Sequence, residues 1–173
     1  SSVGFDLYTQ MLGQAVAEAR GEVPEDAAEA TVTINLPADY YLSEDYLPDV
    51  DRRVLVYRKL AAVSDLTGVD ELQEDTVKRY GDLPEAARNM FDRARIRIRA
   101  DRLGITGVGY ATGKITLAGA EVPEAIHKAW RAKGAQVFAK SKKVNYPFRA
   151  GKEELLPAAL ALLEELGGAD EEE

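Results

Sequence analysis

The sequence predicts an α+β fold, with about six helices packed with a small, mainly antiparallel sheet in a single domain. Three observations lead there. Segments of helical periodicity and short runs of period-two alternation are partly segregated along the chain, unlike the regular alternation of a wound parallel sheet. A length of 173 residues suits one domain, since about 70% of the unfolded surface can be buried at that size. Hydrophobic residues make up 46% and charged residues 30%, an ordinary globular balance that makes disorder the wrong starting point.

The elements follow in order. Phe5, Tyr8, Leu12 and Val16, with Met11 and Ala15 beside them, mark one face of a first helix that closes near Arg20-Gly21. The acidic stretch Glu22 to Glu29 reads as a loop. Thr31 to Leu36 alternates with period two, is rich in β-branched residues, and is stopped by Pro37, so a half-buried strand is expected. Two prolines and three tyrosines make Leu36 to Asp49 an extended segment, with the tyrosines along the body of the domain and their hydroxyls wet. Asp49 or Asp51 can cap a second helix whose stripe is Val54, Tyr57, Leu60 and Ala61.

A third helix is expected from Val69 or Asp70 to Tyr80, stopped by Gly81. A fourth follows from Pro84 to Leu103, closed by Gly104. Inside it Arg93-Ala94-Arg95-Ile96-Arg97-Ile98-Arg99 alternates with period two, which alone would indicate a strand. The strong helix formers around it and the spacing Ala87, Phe91, Ala94, Ile98 favour a helix. Ile105–Tyr110 and Lys114–Leu117 read as a hairpin across Ala111-Thr112-Gly113. Pro123–Arg131 is a helix ending near Gly134, and Gln136–Lys140 and Lys143–Tyr146 are short strands. Glu153–Leu166 forms the last helix, ended by Gly167-Gly168. The domain is thus expected over 1–168, with 169–173 as a disordered acidic tail.

Composition narrows the function. No apolar run approaches the roughly 18–20 residues that span a bilayer, so no membrane contact is expected. The start has neither a secretory pattern nor an initiator Met, which suggests a piece of a longer protein. Without cysteine there can be no disulfide, thiolate zinc site or cysteine nucleophile, and a reducing cytoplasm is the natural compartment. Net charge is −8, unevenly spread. Residues 1–50 hold ten acids against Arg20, while 121–152 hold eight bases against Glu121 and Glu124. The whole repels a polyanion. The basic 128–152 stretch either attracts the acidic half or touches phosphate as an auxiliary DNA-contacting module, although its aromatics (Phe138, Tyr146, Phe148) follow no stacking pattern.

Catalytic readings fail one after another. A phosphate-binding loop needs glycine five residues before Gly113 and a hydroxyl after Lys114, but Val108 and Ile115 stand there. His127 is the only histidine, lies mid-helix beside Trp130, and reads as a surface or half-buried structural residue. Acid pairs such as Glu74-Asp75 and Glu164-Glu165 sit on helix faces where solvation explains them. The domain is therefore expected to carry no catalysis and no cofactor, and to hold protein surfaces together or apart.

One surface stands out. On the third helix Glu71, Asp75 and Arg79 fall at i, i+4 and i+8, with Glu74 and Lys78 alongside, while Leu72, Val77 (or Thr76) and Tyr80 can face the core. Internal pairs Glu74–Lys78 and Asp75–Arg79 account for this face from the pattern alone. A partner of complementary charge would use the same face, with arginine gripping carboxylates through its fork.

A family resemblance bears on that choice. Val3-Gly4-Phe5-Asp6-Leu7-Tyr8-Thr9-Gln10-Met11-Leu12, Leu36-Pro37-Ala38-Asp39, Tyr46-Leu47-Pro48-Asp49 and Arg53-Val54-Leu55-Val56-Tyr57-Arg58-Lys59-Leu60 form the first part of a series. Lys78-Arg79-Tyr80-Gly81-Asp82-Leu83-Pro84, Ala94-Arg95-Ile96-Arg97 and Leu103-Gly104-Ile105 continue it. In order and spacing these resemble the C-terminal domain of bacterial transcription-repair coupling factor, over residues 3 to about 117. The resemblance implies a non-catalytic domain following a helicase-like motor, with ATP bound in the motor and not here. It implies partners as well: an intramolecular clasp on the N-terminal domain that masks the surface recruiting UvrA, with UvrA, RNA polymerase and DNA engaged through the parent protein. The family's clasp uses two acids and an arginine on the third helix, which fall by position on Asp75, Lys78 and Arg79; Lys78 replaces an acid.

Overall fold

A computed structural model describes residues 32–171; the expected first helix and the loop after it lie outside the described residues. By packing, the described chain forms two compact units, one of Ala38–Arg95 and one of residues 32–37 with 96–171.

In the first unit helix α1 spans Val50–Ala62, helix α2 spans Leu66–Tyr80, and helix α3, Glu85–Arg102, begins. Asp49 is the cap of α1, accepting from the amides of Asp51 and Arg52, and so satisfies donors that the first turn leaves unpaired. The buried residues of α1 are Val56 and Leu60, while Val54 and Tyr57 are half-buried and Ala61 is exposed. The expected stripe is thus rotated: Arg53, Val56, Tyr57 and Leu60 are the inward series. Residues 36–43 and 47–49 are neither helix nor strand, as expected, with a turn at 44–46. Their tyrosines are less wet than expected. Tyr40 is buried with the Arg93 guanidinium 5.4 Å from its ring centre, and the Tyr46 hydroxyl donates to the Gly81 carbonyl at 2.7 Å.

Helix α3 settles the conflict over 93–99. Burial does alternate there: Ala94, Ile96, Ile98 and Ala100 are buried and Arg95, Arg97 and Arg99 half-buried. At about 100° per residue, Ala94 and Ile98 then lie on one side of the axis and Ile96 and Ala100 on the other. A helix covered on two sides produces the period that would otherwise indicate a strand. It ends in a Schellman motif, with Ile105 N–H bonded to Ala100 O and Gly104 N–H to Asp101 O, around Gly104 at φ +74°.

The second unit holds strands β1 (Thr33–Asn35), β2 (Gly107–Ala111), β3 (Lys114–Ala118), β4 (Gln136–Phe138) and β5 (Lys143–Pro147). Helix α4 (Glu124–Ala132), a 3₁₀ turn (Lys152–Glu154) and helix α5 (Leu155–Glu171) complete it. The sheet order is β1-β2-β3-β5-β4. Three of its pairings are antiparallel, and β1 joins β2 in parallel with Thr33 opposite Gly107. The hairpin of β2 and β3 turns on Thr112 (φ +49°) and Gly113 (φ +76°), the two positive values of a type I′ turn. Val108, Ile115, Leu117 and Val144 are buried, as are Leu155, Leu156, Ala159, Leu162, Leu163 and Leu166 of α5. Each large apolar side chain so enclosed contributes about 1.5–3 kcal/mol.

Two expectations for this unit need correction. Gly167-Gly168 does not end the last helix, which runs on to Glu171. Neither glycine takes the positive φ of a helix stop, unlike Gly81, Gly104 and Gly134, so both stay in helical register behind the buried Leu166. Glu165 is not simply solvated either. It accepts from Nε1 of Trp130 at 2.7 Å, satisfying the one polar atom of an indole that is otherwise fully buried against Tyr146. The α+β class and the mainly antiparallel sheet hold. Five helices lie among the described residues, and the sixth expected is the one outside them.

Candidate interdomain interface on helix α2

Asp65 starts α2 by accepting from the Gly68 amide at 2.7 Å, one turn earlier than the expected start at Val69. Val69, Leu72 and Thr76 form its buried side. Thr76, and not Val77, is therefore the inward residue, and its hydroxyl donates back to the Leu72 carbonyl at 2.7 Å, so nothing polar is stranded there. At the other end Tyr80 packs edge-on to Tyr46, 6.5 Å between ring centres. Burial and the charge of Asp82 push the Tyr46 hydroxyl up from its ordinary pKa, which keeps it a donor to Gly81.

Orientation of α2 against α3 depends on Arg95, a residue that the sequence pattern did not single out. Its side chain is only 17% exposed. Nη2 donates to Asp70 Oδ1 at 2.8 Å and to Gln73 Oε1 at 2.6 Å, and Nη1 donates to Asp92 Oδ1 at 3.2 Å. The Asp92–Arg95 spacing on one helix is legible in the sequence. The bond to Asp70 crosses 25 residues and depends on packing.

With Asp70 and Gln73 turned to Arg95, the side of α2 that carries Glu71, Glu74, Lys78 and Arg79 is exposed, and Asp75 is half-buried. The structure brings the four residues singled out by sequence onto one helix surface, though not into one bonded cluster. Asp75 receives Arg79 Nε at 3.1 Å and 3.0 Å, one contact to each carboxylate oxygen. This hydrogen bond, and then the charge of Asp75, raises the already high pKa of the Arg79 guanidinium, so Arg79 is a fixed cation. Lys78 pairs with Glu74 at 3.6 Å, and Glu71 has no ion pair among the described residues.

The arginine contact is directional. Nε is held by Asp75, and both terminal nitrogens of Arg79 carry no hydrogen bond among the described residues. The flat, bidentate end of the guanidinium is therefore open to solvent, with its approach angle set by Asp75. Among the described residues no cluster of His, Asp and Glu is placed to hold a metal ion, and no helix is long and apolar enough to cross a membrane. His127 is half-buried, with Nε2 enclosed and unbonded.

A family model for the TRCF domain matches residues 36–128, more than half of the chain. The chain belongs to the TRCF domain family. The matched span begins at Leu36, contains α1, α2, α3 and the β2–β3 hairpin, and reaches Lys128 within α4. Within the transcription-repair-coupling factor of Myxococcus xanthus, 117 residues are 30% identical, covering 68% of this chain and 10% of that protein. The corresponding protein of Escherichia coli K12 is 34% identical over 107 residues, 60% of this chain and 9% of that one. That of Staphylococcus haemolyticus is 35% identical over 107 residues, 61% and 9%. This TRCF-domain chain thus spans about a tenth of the length of the curated relatives it matches. Its fold is that of the crystal structure of the C-terminal domain of transcription-repair coupling factor, with TM-score 0.57 and 18% identity, covering 78% of this chain and 94% of that one.

Proposed function

We propose that this TRCF domain is the non-catalytic C-terminal regulatory domain of an ATP-dependent DNA translocase in transcription-coupled repair. In this reading the exposed side of α2 clasps the N-terminal domain of the same protein, and the clasp masks the surface that recruits UvrA. The observation that carries it is the Arg79 guanidinium, oriented through Nε by Asp75 while its terminal nitrogens remain unused. Asp75 presents Arg79, Arg79 grips a partner carboxylate, and Glu71 offers a second, negative contact beside it. Lys78, where the family places an acid, is engaged by Glu74 and contributes least.

The relatives' names support the transcription-repair setting of this reading, and the absence of a phosphate-loop pattern in Gly107–Ile115 supports a domain that binds no ATP itself; the rest is part of the proposal. ATP is bound by the motor of the parent protein, and this domain uses no cofactor. Residues 1–168 act as one family domain, UvrA and RNA polymerase are engaged through the parent, and the compartment is the cytoplasm.

The test is UvrA capture by full-length protein carrying Arg79→Glu or Lys78→Glu, beside thermal melts of the 173-residue chain with the same changes. Arg79→Glu should increase capture and leave the chain folded, with only a small drop in the melt from the lost exposed pair with Asp75. Lys78→Glu should change capture less, or lower it. Unchanged capture by a well-folded Arg79→Glu protein refutes the clasp and leaves this side of α2 as a solvated surface with internal pairs.

A further inference from the structure

The second unit contains a hollow of about 690 Å³ lined by Thr112, Gly113, Lys114, Lys133, Gly134, Pro147, Phe148 and Arg149. Its walls come from three fixed places: the type I′ turn, the C-terminal end of α4, and the end of β5. Phe148 is tied in by its amide, which donates to Gly113 O at 2.9 Å, and by an edge contact with Tyr110, 6.1 Å between ring centres. A Cβ on Gly113 would meet nothing within 4 Å, so the turn faces open space.

The charges in this hollow are of one sign. Lys114, Lys133 and Arg149 line it and no acid does. Among the described residues none of the three forms an ion pair, and Lys114 has only the neutral Gln136 Oε1, at 3.3 Å. Elsewhere in the unit Lys142 pairs with Glu121 at 2.9 Å and Arg99 with Glu164 at 4.0 Å. Three like charges around one concavity raise the local potential and favour an anion. The half-buried Phe148 ring and Pro147 add an apolar wall beside them. A nucleic-acid strand offers at every unit both a phosphate for the cations and a base for the ring, whereas an acidic peptide combines the two only where an aromatic residue stands beside its acids.

We infer that this hollow binds a unit of a single-stranded nucleic acid, its phosphates held by Lys114, Lys133 and Arg149 and a base laid against Phe148. Of the basic run 128–152, only Lys133 and Arg149 belong to the hollow; Lys114 comes from β3. Recognition here is by side-chain cations. It needs no phosphate loop and no metal, so Val108 and Ile115 in the glycine-rich passage do not oppose it. The inference does not rest on the clasp of α2.

The experiment is fluorescence anisotropy of a labelled twelve-residue oligothymidylate titrated with the 173-residue chain between 50 and 200 mM salt. Three phosphate contacts on a single strand predict a log K against log salt slope of about −2, or roughly an 18-fold loss of affinity over that range. Lys133→Ala with Arg149→Ala, both exposed positions, should reduce the slope to about −0.7. Phe148→Leu should weaken binding about ten-fold without changing the slope. Unlabelled thymidine monophosphate or poly-glutamate displacing the oligomer as well as the unlabelled oligomer does would overturn the assignment to a strand. Equal affinity and slope in wild type and the double variant, or no binding at 50 mM salt, would overturn the site itself.

Discussion

Replacing Arg95 with methionine tests how α2 is held. Methionine retains the apolar stem of the side chain and removes the guanidinium, so packing loss is small and the polar contribution is isolated. Three contacts disappear. The bond to Asp70 reaches a carboxylate that is 68% exposed, and solvent screening limits it to about 0–1 kcal/mol. The contact with Asp92 joins two side chains only 17% and 24% exposed, where a charged hydrogen bond contributes about 1.5–3 kcal/mol. The bond to Gln73 Oε1, 2.6 Å long, is charge-assisted but ends on a neutral group and adds about 0.5–1 kcal/mol. Allowing for coupling among neighbours, the expected destabilisation is about 3 kcal/mol. For a chain of this size that lowers the melting midpoint by about 6–12 °C, measured by far-ultraviolet circular dichroism. Arg95→Lys keeps the charge without the fork and should recover about half of the loss. An Arg95→Met protein melting within about 2 °C of wild type would refute the cluster as the element that fixes α2 on α3.

Further predictions concern the second unit. Glu165→Ala strands the Trp130 indole N–H in the core and should cost about 1–3 kcal/mol in urea unfolding; because this is the only tryptophan, a shift in its emission maximum should accompany the loss, and the absence of both changes would refute the bond. Thr112 holds a left-handed backbone (φ +49°) that asparagine accepts more readily, so Thr112→Asn should stabilise the hairpin by about 1 kcal/mol; a lower melting midpoint would show that the threonine is engaged by something other than the turn. Extending the stop that the sequence suggests, Gly167→Ala and Gly168→Ala should each raise helicity and stability by up to about 1 kcal/mol, since both glycines lie inside α5; destabilisation would place the helix end at Leu166 after all.

Much of this protein was legible in its sequence because the relevant forces act within four or five residues along the chain. Asp49 capping α1, Gly81 and Gly104 ending α2 and α3, and the Thr112-Gly113 turn are decided by local backbone geometry and nearby hydrogen bonds. The charged side of α2 follows from i, i+4 spacing alone, and the structure places Glu71, Asp75, Lys78 and Arg79 where that spacing puts them. Other features depended on which surfaces meet. Arg95 belongs to a repeating Arg-x-Arg pattern whose period alone indicates a strand; the helix formers around it favour the helix that is observed, but its bonds to Asp70 and Gln73 depend on which surfaces meet. The inward rotation of α1 toward Val56, the parallel partner of β1, the Trp130–Glu165 bond across 35 residues and the three cations of the hollow likewise join distant positions. Periodicity records that a side chain is to be buried; only tertiary packing decides against what, because that choice is made by long-range contacts whose energies do not exist until the chain has closed on itself.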